Sequence, residues 1–449
     1  MTTFRTSSPP RVSIPEEVWN SGSLAPYIAR LAVEHGPIFS FVPQAGEFAG
    51  QPAVYLVGPE ANRFVLLSGR QHFSHDLGWT PVMGDSFGHG LLNMDPPEHT
   101  RHRGLMNPAF TASFMAGYLP LMERVIAQRT AGWAERAEVD LALEAREITF
   151  DVAAAALVGA QTGPQVDWLR KRFYILLHGP DPGSYRDWDD AMQQVIQVRQ
   201  ELQGALLELI DARRRTLSSP ADQEDVLGLL VRARDAAGQA LSDEQLLAHV
   251  NILLVAGHET TTTLGAWLLF LLGGQPTYVE RIRTELQTVL GDRDAPLTTE
   301  ALHTLPVLSA AIREAGRLKS PVLLLPRGVL TEFEFGGYRI PTGTPVFLAI
   351  AAGHHLPSVF PEPERFDPDR FLPPREEDKR NPYALVTFGG GPRICLGINF
   401  AQVEVTALAA HVLRRFKLNP IADRPFVELG GIIQSLPQGI PMRIQPLAR

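Results

Sequence analysis

The longest hydrophobic stretch of the chain runs from 246 to 273. It is interrupted by His249, Asn251, His258, Glu259 and the threonines Thr260 to Thr263. Before Ala256 it is apolar on nearly every side, which predicts a helix through a core rather than a surface helix with one polar stripe. Ser242-Asp-Glu-Gln245 ahead of it has the form of a capping box and predicts the helix start. Ending near Leu272, such a helix is roughly 45 Å long at about 1.5 Å per residue. Its polar interruptions argue against a membrane span.

Shorter patterns flank this helix. Residues 37–42 and 53–57 read as strands around a glycine-rich turn, and a helix follows Pro59. Residues 73–94 lack regular periodicity and predict a long loop. Asp95-Pro-Pro-Glu-His99 suits a helix start. Helical patterns dominate from about 115 to 235, including 164–178 and 188–217, with a sharp break at 179–187 (Gly-Pro-Asp-Pro-Gly-Ser-Tyr-Arg-Asp). From Arg327 to about Ile350, alternating residues around Gly336-Gly337 suggest hairpins. The expectation is a mainly α protein with small β-sheets. Residues 1–15 form a polar, proline-containing tail. No long linker divides 16–449, which therefore reads as a single domain.

Composition narrows the function classes. The 449 residues carry a net charge of −8, which argues against a broadly basic nucleic-acid binder. One cysteine excludes an intramolecular disulfide framework and Cys-rich zinc or iron–sulfur sites, and it fits a reducing cytoplasm. The first residues contain no apolar run of the kind a signal peptide or anchor needs.

That cysteine lies in Phe388-Gly-Gly-Gly-Pro-Arg393-Ile-Cys395-Leu-Gly397. Three glycines and a proline make the backbone a tight irregular loop. The residues after Gly397 read as a largely buried helix, so Cys395 sits at or just before a helix N-terminus. Free N–H groups there, with Arg393 two residues away, favour a thiolate. A thiolate so held can ligate a metal or act as a nucleophile. A lone cysteine is otherwise most often a small buried hydrophobe.

The central helix also breaks local rules. Gly257 costs about 1 kcal/mol against alanine, and Glu259 is a charge among apolar turns. Such a stretch is expected at a functional site, although a threonine-rich face that bonds its own carbonyls would look the same. His99 and Arg103, and likewise Glu314 and Arg317, fall on one helical face by spacing. Taken alone, either pair reads as an ordinary surface feature.

The motif Phe-x-x-Gly-x-Arg-x-Cys-x-Gly resembles the haem-binding loop of the cytochrome P450 family, with every position matched. The likeness spans about residues 30 to 445, with four motifs in the family's order. It implies the cytochrome P450 fold, a triangular helical prism holding haem b (iron protoporphyrin IX) between the long central helix and the cysteine loop. It implies Cys395 as axial iron ligand, Phe388 near the sulfur, and Gly397 as part of the loop. His99, Arg103, Arg327 and Arg393 would bind the haem propionates. Ala256-Gly257-His258-Glu259-Thr260 resembles the family's oxygen-activation motif. Gly257 would let the helix open beside the iron, Thr260 would bond iron-bound oxygen, and Glu259 would relay protons. Glu314, Arg317 and Arg370 match the family's buried structural triad. Val255, Ala256, Leu323, Leu324 and Leu325 would line the substrate pocket, with 432–436 as another wall. The flanking helices 164–178 and 188–217 resemble the pair that lids that pocket.

The activity so implied is a cytoplasmic monooxygenase that uses O2 on a lipophilic small molecule such as a fatty acid, terpenoid or steroid-like compound. With no flavin or iron–sulfur segment, electrons from NAD(P)H would arrive through a ferredoxin or flavodoxin and its reductase. Arg101, Lys379 and Arg380 are candidate docking contacts. Alternatives within the resemblance are a peroxide-using peroxygenase and a haem-thiolate isomerase or dehydratase. A haem sensor without turnover is a different class. Lys319-Ser320-Pro321 and His354-His355 depart from patterns frequent in the family.

Overall fold

The structure is a computed structural model describing residues 8–19, 21–43, 48–83, 86–181, 183–216, 225–421, 428–436 and 439–448. The helices that position the site are α1 (Leu24–His35), α2 (Glu98–Met106), α3 (Leu119–Thr130), α4 (Leu141–Val158), α5 (Pro164–His178), α6 (Trp188–Thr216), α7 (Asp243–Gly273), α8 (Pro306–Leu318) and α9 (Ile398–Arg415). The capping box at the head of α7 is complete. The Gln245 N–H donates to Ser242 Oγ at 3.2 Å, and the Ser242 N–H donates to Gln245 Oε1 at 3.1 Å. The break after α5 lies where proline and glycine interrupt the pattern, and Gly179 ends that helix at φ 80°.

Helix α7 is the axis of the molecule. It packs against α4, α6, α8 and α9. Their apolar faces merge into one core that includes Phe150, Leu254, Trp267, Val405 and Leu408. Because α7 is surrounded by helices, it carries no polar stripe, as its sequence predicts.

Strands β1 (Ile38–Phe41), β2 (Ala53–Leu56), β3 (Phe73–Ser74), β5 (Leu325–Val329) and β8 (Pro345–Leu348) form one sheet in the order β1-β2-β8-β5-β3. Only the β2–β8 pairing is parallel. A second sheet joins β4 (Glu138–Asp140), β10 (Pro441–Pro446) and β9 (Phe416–Pro420). A hairpin of β6 (Phe333–Phe335) and β7 (Tyr338–Ile340) turns through Gly336 and Gly337 at φ 58° and 84°, a conformation that favours glycine.

Residues 73–94 are not one long loop. They contain β3 and a helix, Asp76–Met83. Gly78 and Pro81 conceal this helix from a periodicity reading, and tertiary contact holds it. Trp79 is buried, and a Cβ on Gly78 would lie 2.5 Å from the Pro326 carbonyl oxygen. Residues 9–12 of the expected tail run beside β1: the Ser40 N–H donates to Pro10 O, and the Val12 N–H donates to Ser40 O, both at 2.8 Å. Residues 1–7 lie outside the described residues.

A buried ion network pins the segment that leads into the cysteine loop. Arg317 Nε donates to Glu314 Oε2 at 2.7 Å, and Arg370 Nε donates to Glu314 Oε1 at 3.0 Å. All three side chains are fully buried. The network extends beyond the expected triad: Arg370 Nη1 reaches Glu377 at 2.8 Å, and Arg375 ties Glu377 to Asp367. Arg317 also donates to the carbonyls of His354 and Pro363.

Candidate functional site

The cysteine loop folds back on itself. The Cys395 N–H donates to Phe388 O at 2.8 Å. Gly389 and Gly391 take φ of 72° and 62°, in the region open mainly to glycine. Gly391 has a second reason to lack a side chain. A Cβ there would sit 2.2 Å from the Leu66 carbonyl oxygen, in the π-helical turn Phe64–Ser68. Helix α9 begins at Ile398, three residues past the sulfur, and the Gly397 N–H points back at it.

The thiol is enclosed by protein, and burial pushes its pKa up. The Gly397 N–H and the positive charge of Arg103 pull in the opposite direction without overcoming burial. Burial thus works against the thiolate that the helix N-terminus favours. Nor is Arg393 the cation that acts on the sulfur. Its guanidinium turns to donate to Met94 O, and Arg103, on α2, acts there instead. Although enclosed, Cys395 has an exposed surface. An enclosed residue with open surface lines an internal cavity.

Helix α7 shows the same signature. Between Ala248 and Leu269 its residues are buried except Leu253, Ala256, Gly257 and Thr260. Their spacing puts them in one strip along a single face. A core helix with one open strip borders interior space. The helix does not open at Gly257, where it stays α-helical. The Thr260 hydroxyl donates to Ala256 O at 2.7 Å, and Thr261 donates to Gly257 O at 2.9 Å. These back-bonds satisfy the threonine hydroxyls within the helix.

Glu259 lies off the strip and is buried between two imidazoles. Its Oε1 is 3.4 Å from His178 Nε2, and its Oε2 is 3.5 Å from His258 Nε2. Burial alone would raise its pKa. His178, His258 and Arg146 outweigh that and hold the carboxyl below the usual range.

A cluster of basic groups adjoins the sulfur through Arg103. Burial and the neighbouring arginine lower Arg327 to about 9. Burial and the charges of Arg393 and Arg103 lower His99 to about 4. Arg393 falls to about 10, lowered by burial and by Arg103. His75 joins the group, pushed well down by burial and by Arg327, Arg393 and His99. No sequence signal marked His75, which lies in the aperiodic segment. Asp95 faces these groups, but it already accepts from the Ser74 hydroxyl and, at 2.7 Å, from the His75 N–H. Arg103, Arg327 and Arg393, crowded with so little countercharge, suit a bound anion.

Other expected residues lie elsewhere. Val255 is buried in a core cluster and not on the open strip; Leu323 and Leu324 are buried in a second cluster, and Leu325, the first residue of β5, is partly buried. The turn at 432–436 pairs with 321–324: Ile432 O accepts from the Leu323 N–H at 2.9 Å, and Val322 bridges Ile433. Arg101 is not a free surface cation, since it is paired with Asp235 at 2.6 Å. Lys379 and Arg380 are exposed, with Lys379 beside Glu376. Among the described residues no group of three or more His, Cys, Asp or Glu could hold a metal.

The chain is similar to known proteins of one family. The family model described as Cytochrome P450 matches residues 17–436. A protein named "Putative cytochrome P450 136" from Mycobacterium tuberculosis is 31% identical over 417 residues, 89% of this chain and 81% of that protein. A "Sterol 14alpha-demethylase" from Mycolicibacterium vanbaalenii is 30% identical over 377 residues, 83% of this chain and 82% of that protein. The solved structure "Retinoic acid bound cyanobacterial CYP120A1" superposes with TM-score 0.84 at 28% identity, covering 98% of this chain and 99% of that one.

Proposed function

We propose that this chain, which belongs to the cytochrome P450 family, is a haem-thiolate monooxygenase acting on a lipophilic small molecule with electrons from a separate redox protein. The observation that carries the reading is the cysteine surface opening onto interior space beside a cluster of under-neutralised cations. That is the chemistry a haem requires: one soft axial ligand, and positive charge for two carboxylates. Cys395 would ligate the iron, and His99, Arg103, Arg327, Arg393 and His75 would receive the propionates. Haem bound here would supply the activation of O2, with Cys395 as its sulfur ligand.

The residues of the chain do the rest. The Gly397 N–H and Arg103 stabilise the thiolate against the burial that opposes it. Thr260 offers a hydroxyl on the open strip of α7 and can exchange its Ala256 bond for one to a bound molecule. Glu259 holds negative charge within the same helical turn and moves protons toward that hydroxyl. Leu253, Ala256 and Gly257 give the strip an apolar surface, which suits a lipophilic substrate. The names of two relatives, a sterol demethylase and a retinoic-acid-bound protein, support the same substrate class. No helix among the described residues is long and apolar enough to cross a membrane. A ferredoxin or flavodoxin with its NAD(P)H-linked reductase fits as donor, with Lys379 and Arg380 available to meet its acidic surface.

The test is optical. Reduced protein with carbon monoxide should show the strongly red-shifted Soret band of thiolate-ligated haem, and Cys395→Ala should lose it. Lipophilic compounds that shift the oxidised Soret band should then be hydroxylated when a donor and NAD(P)H are supplied. Turnover with peroxide alone, and none with donor and NAD(P)H, would overturn the reading.

A further inference from the structure

Glu259 is a buried carboxylate with a histidine against each of its two oxygens, at 3.4 and 3.5 Å. We propose that His178 is the positioning and relay residue through which Glu259 exchanges protons with solvent, the two side chains acting as one imidazole–carboxylate pair. This rests on the monooxygenase reading, in which Glu259 supplies protons to the cavity.

The geometry distinguishes the two imidazoles. His258 Nδ1 lies 2.6 Å from Leu254 O, and its ring stands edge-on to Phe150 with centroids 5.0 Å apart. Its Nδ1 is committed to that carbonyl, and its side chain is only 2% exposed. His258 Nε2 therefore faces Glu259 Oε2 at 3.5 Å with no path of its own to solvent. That oxygen has no hydrogen-bond partner among the described residues.

His178 differs in each respect. It is the last residue of α5, directly before the Gly179 break, and its side chain is 18% exposed. Its Nε2 is 3.4 Å from Glu259 Oε1 and has no other partner among the described residues. Tyr174, one turn back, lies tilted against the ring with centroids 4.6 Å apart, and Arg146 of α4 covers Tyr174 at 4.6 Å. The titratable and charged groups facing Glu259 are thus Arg146 on α4, Tyr174 and His178 on α5, and His258 on its own helix. Arg146 supplies charge but cannot release a proton at ordinary pH. Tyr174 fixes the ring. His178 alone both touches open space and meets the carboxylate.

In the transfer, water protonates the Nε2–H imidazole of His178 at Nδ1, and the imidazolium so formed releases its Nε2 proton to Glu259 Oε1, leaving the Nδ1–H imidazole and a carboxylic acid. Glu259 passes the proton toward Thr260 and returns to carboxylate. Tautomer exchange of the imidazole from Nδ1–H to Nε2–H restores the starting pair.

Infrared difference spectroscopy over a pH series reads this pair without turnover, in cofactor-free and haem-loaded protein alike. The carboxylic C=O band of Glu259 is identified by its absence in Glu259→Gln. In His178→Gln that band should appear about 1–3 pH units higher than in the parent, the scale expected on removing an adjacent cation. In His178→Lys, with a permanent cation, it should stay suppressed. In turnover, product formed per NAD(P)H should show a pH step in the parent that is absent from both variants. A band at the same pH in parent and His178→Gln overturns the pair alone. A band that moves as stated, with no oxygen insertion under any donor system, overturns the monooxygenase reading on which the pair rests.

Discussion

Replacing Glu314 with glutamine tests whether the buried network, and not apolar packing or helix propensity, holds the cysteine loop in place. Glu314 is fully buried and accepts four hydrogen bonds. They come from Arg317 Nε at 2.7 Å, Arg317 Nη2 at 3.0 Å, Arg370 Nε at 3.0 Å and the Asp367 N–H at 2.9 Å. Glutamine keeps the shape but removes the charge that both arginines share, and it turns an N–H toward one of them. Removing one partner of a buried ion pair costs about 3–5 kcal/mol, because the remaining charge is left uncompensated. Arg370 keeps Glu377 at 2.8 Å, so Arg317 bears most of the loss and about 4 kcal/mol is expected. The control is Glu362→Gln, which breaks the Arg365–Glu362 pair at 3.3 Å, where the side chains are 64% and 73% exposed. Solvent screening limits that loss to about 0.5 kcal/mol. Urea midpoints of the two variants and the parent give the comparison. The haem retained on purification reports the loop itself. If Glu314→Gln matched the parent in both midpoint and haem content, or if Glu362→Gln fell as far, the reasoning would be wrong.

Gly391→Ala should lose most of its haem. It adds a methyl 2.2 Å from the Leu66 carbonyl oxygen at a φ of 62°, and the left-handed backbone alone costs about 1–2 kcal/mol. Retained haem with a normal carbon monoxide spectrum would contradict this. Thr260→Ala should leave the unfolding midpoint nearly unchanged, since the hydroxyl bonds only its own helix, while peroxide release rises at the expense of product. Unchanged coupling removes the role given to Thr260. Acid should destabilise the cofactor-free protein. Burial lowers His249, His354 and His411 to about 3 and His99 to about 4, against about 6.5 when unfolded. Below pH 6.5 the unfolded chain therefore binds more protons, and stability falls with pH. At pH 5 the loss is about 2 kcal/mol per histidine. The urea midpoint should drop between pH 7 and 5, and drop less in His354→Asn. A flat or rising midpoint over that interval counts against the assignment.

Local signals account for what the chain alone could show. The capping box at Ser242, the helix 164–178 and the glycine-rich cysteine loop each depend on residues within a few positions of one another. Their physics is complete in a short window, and the structure places them within a residue of expectation. Order of motifs along the chain added the fold family. What the window could not contain was distance through space. Arg103, and not Arg393, acts on the sulfur because two segments nearly three hundred residues apart are brought together by α2 and α9. His75 joins the cation cluster, and Glu377 and Arg375 join the ion network, by the same kind of contact. The Asp76–Met83 helix forms despite its proline and glycine because β5 supplies a surface for it. The amino-acid sequence by itself determined which backbone segments could be helix, strand or tight loop, since those choices are settled by neighbouring residues. Only the tertiary structure decided which charges meet, which face of α7 stays open and which histidine reaches Glu259, because those energies depend on burial and on separation in three dimensions.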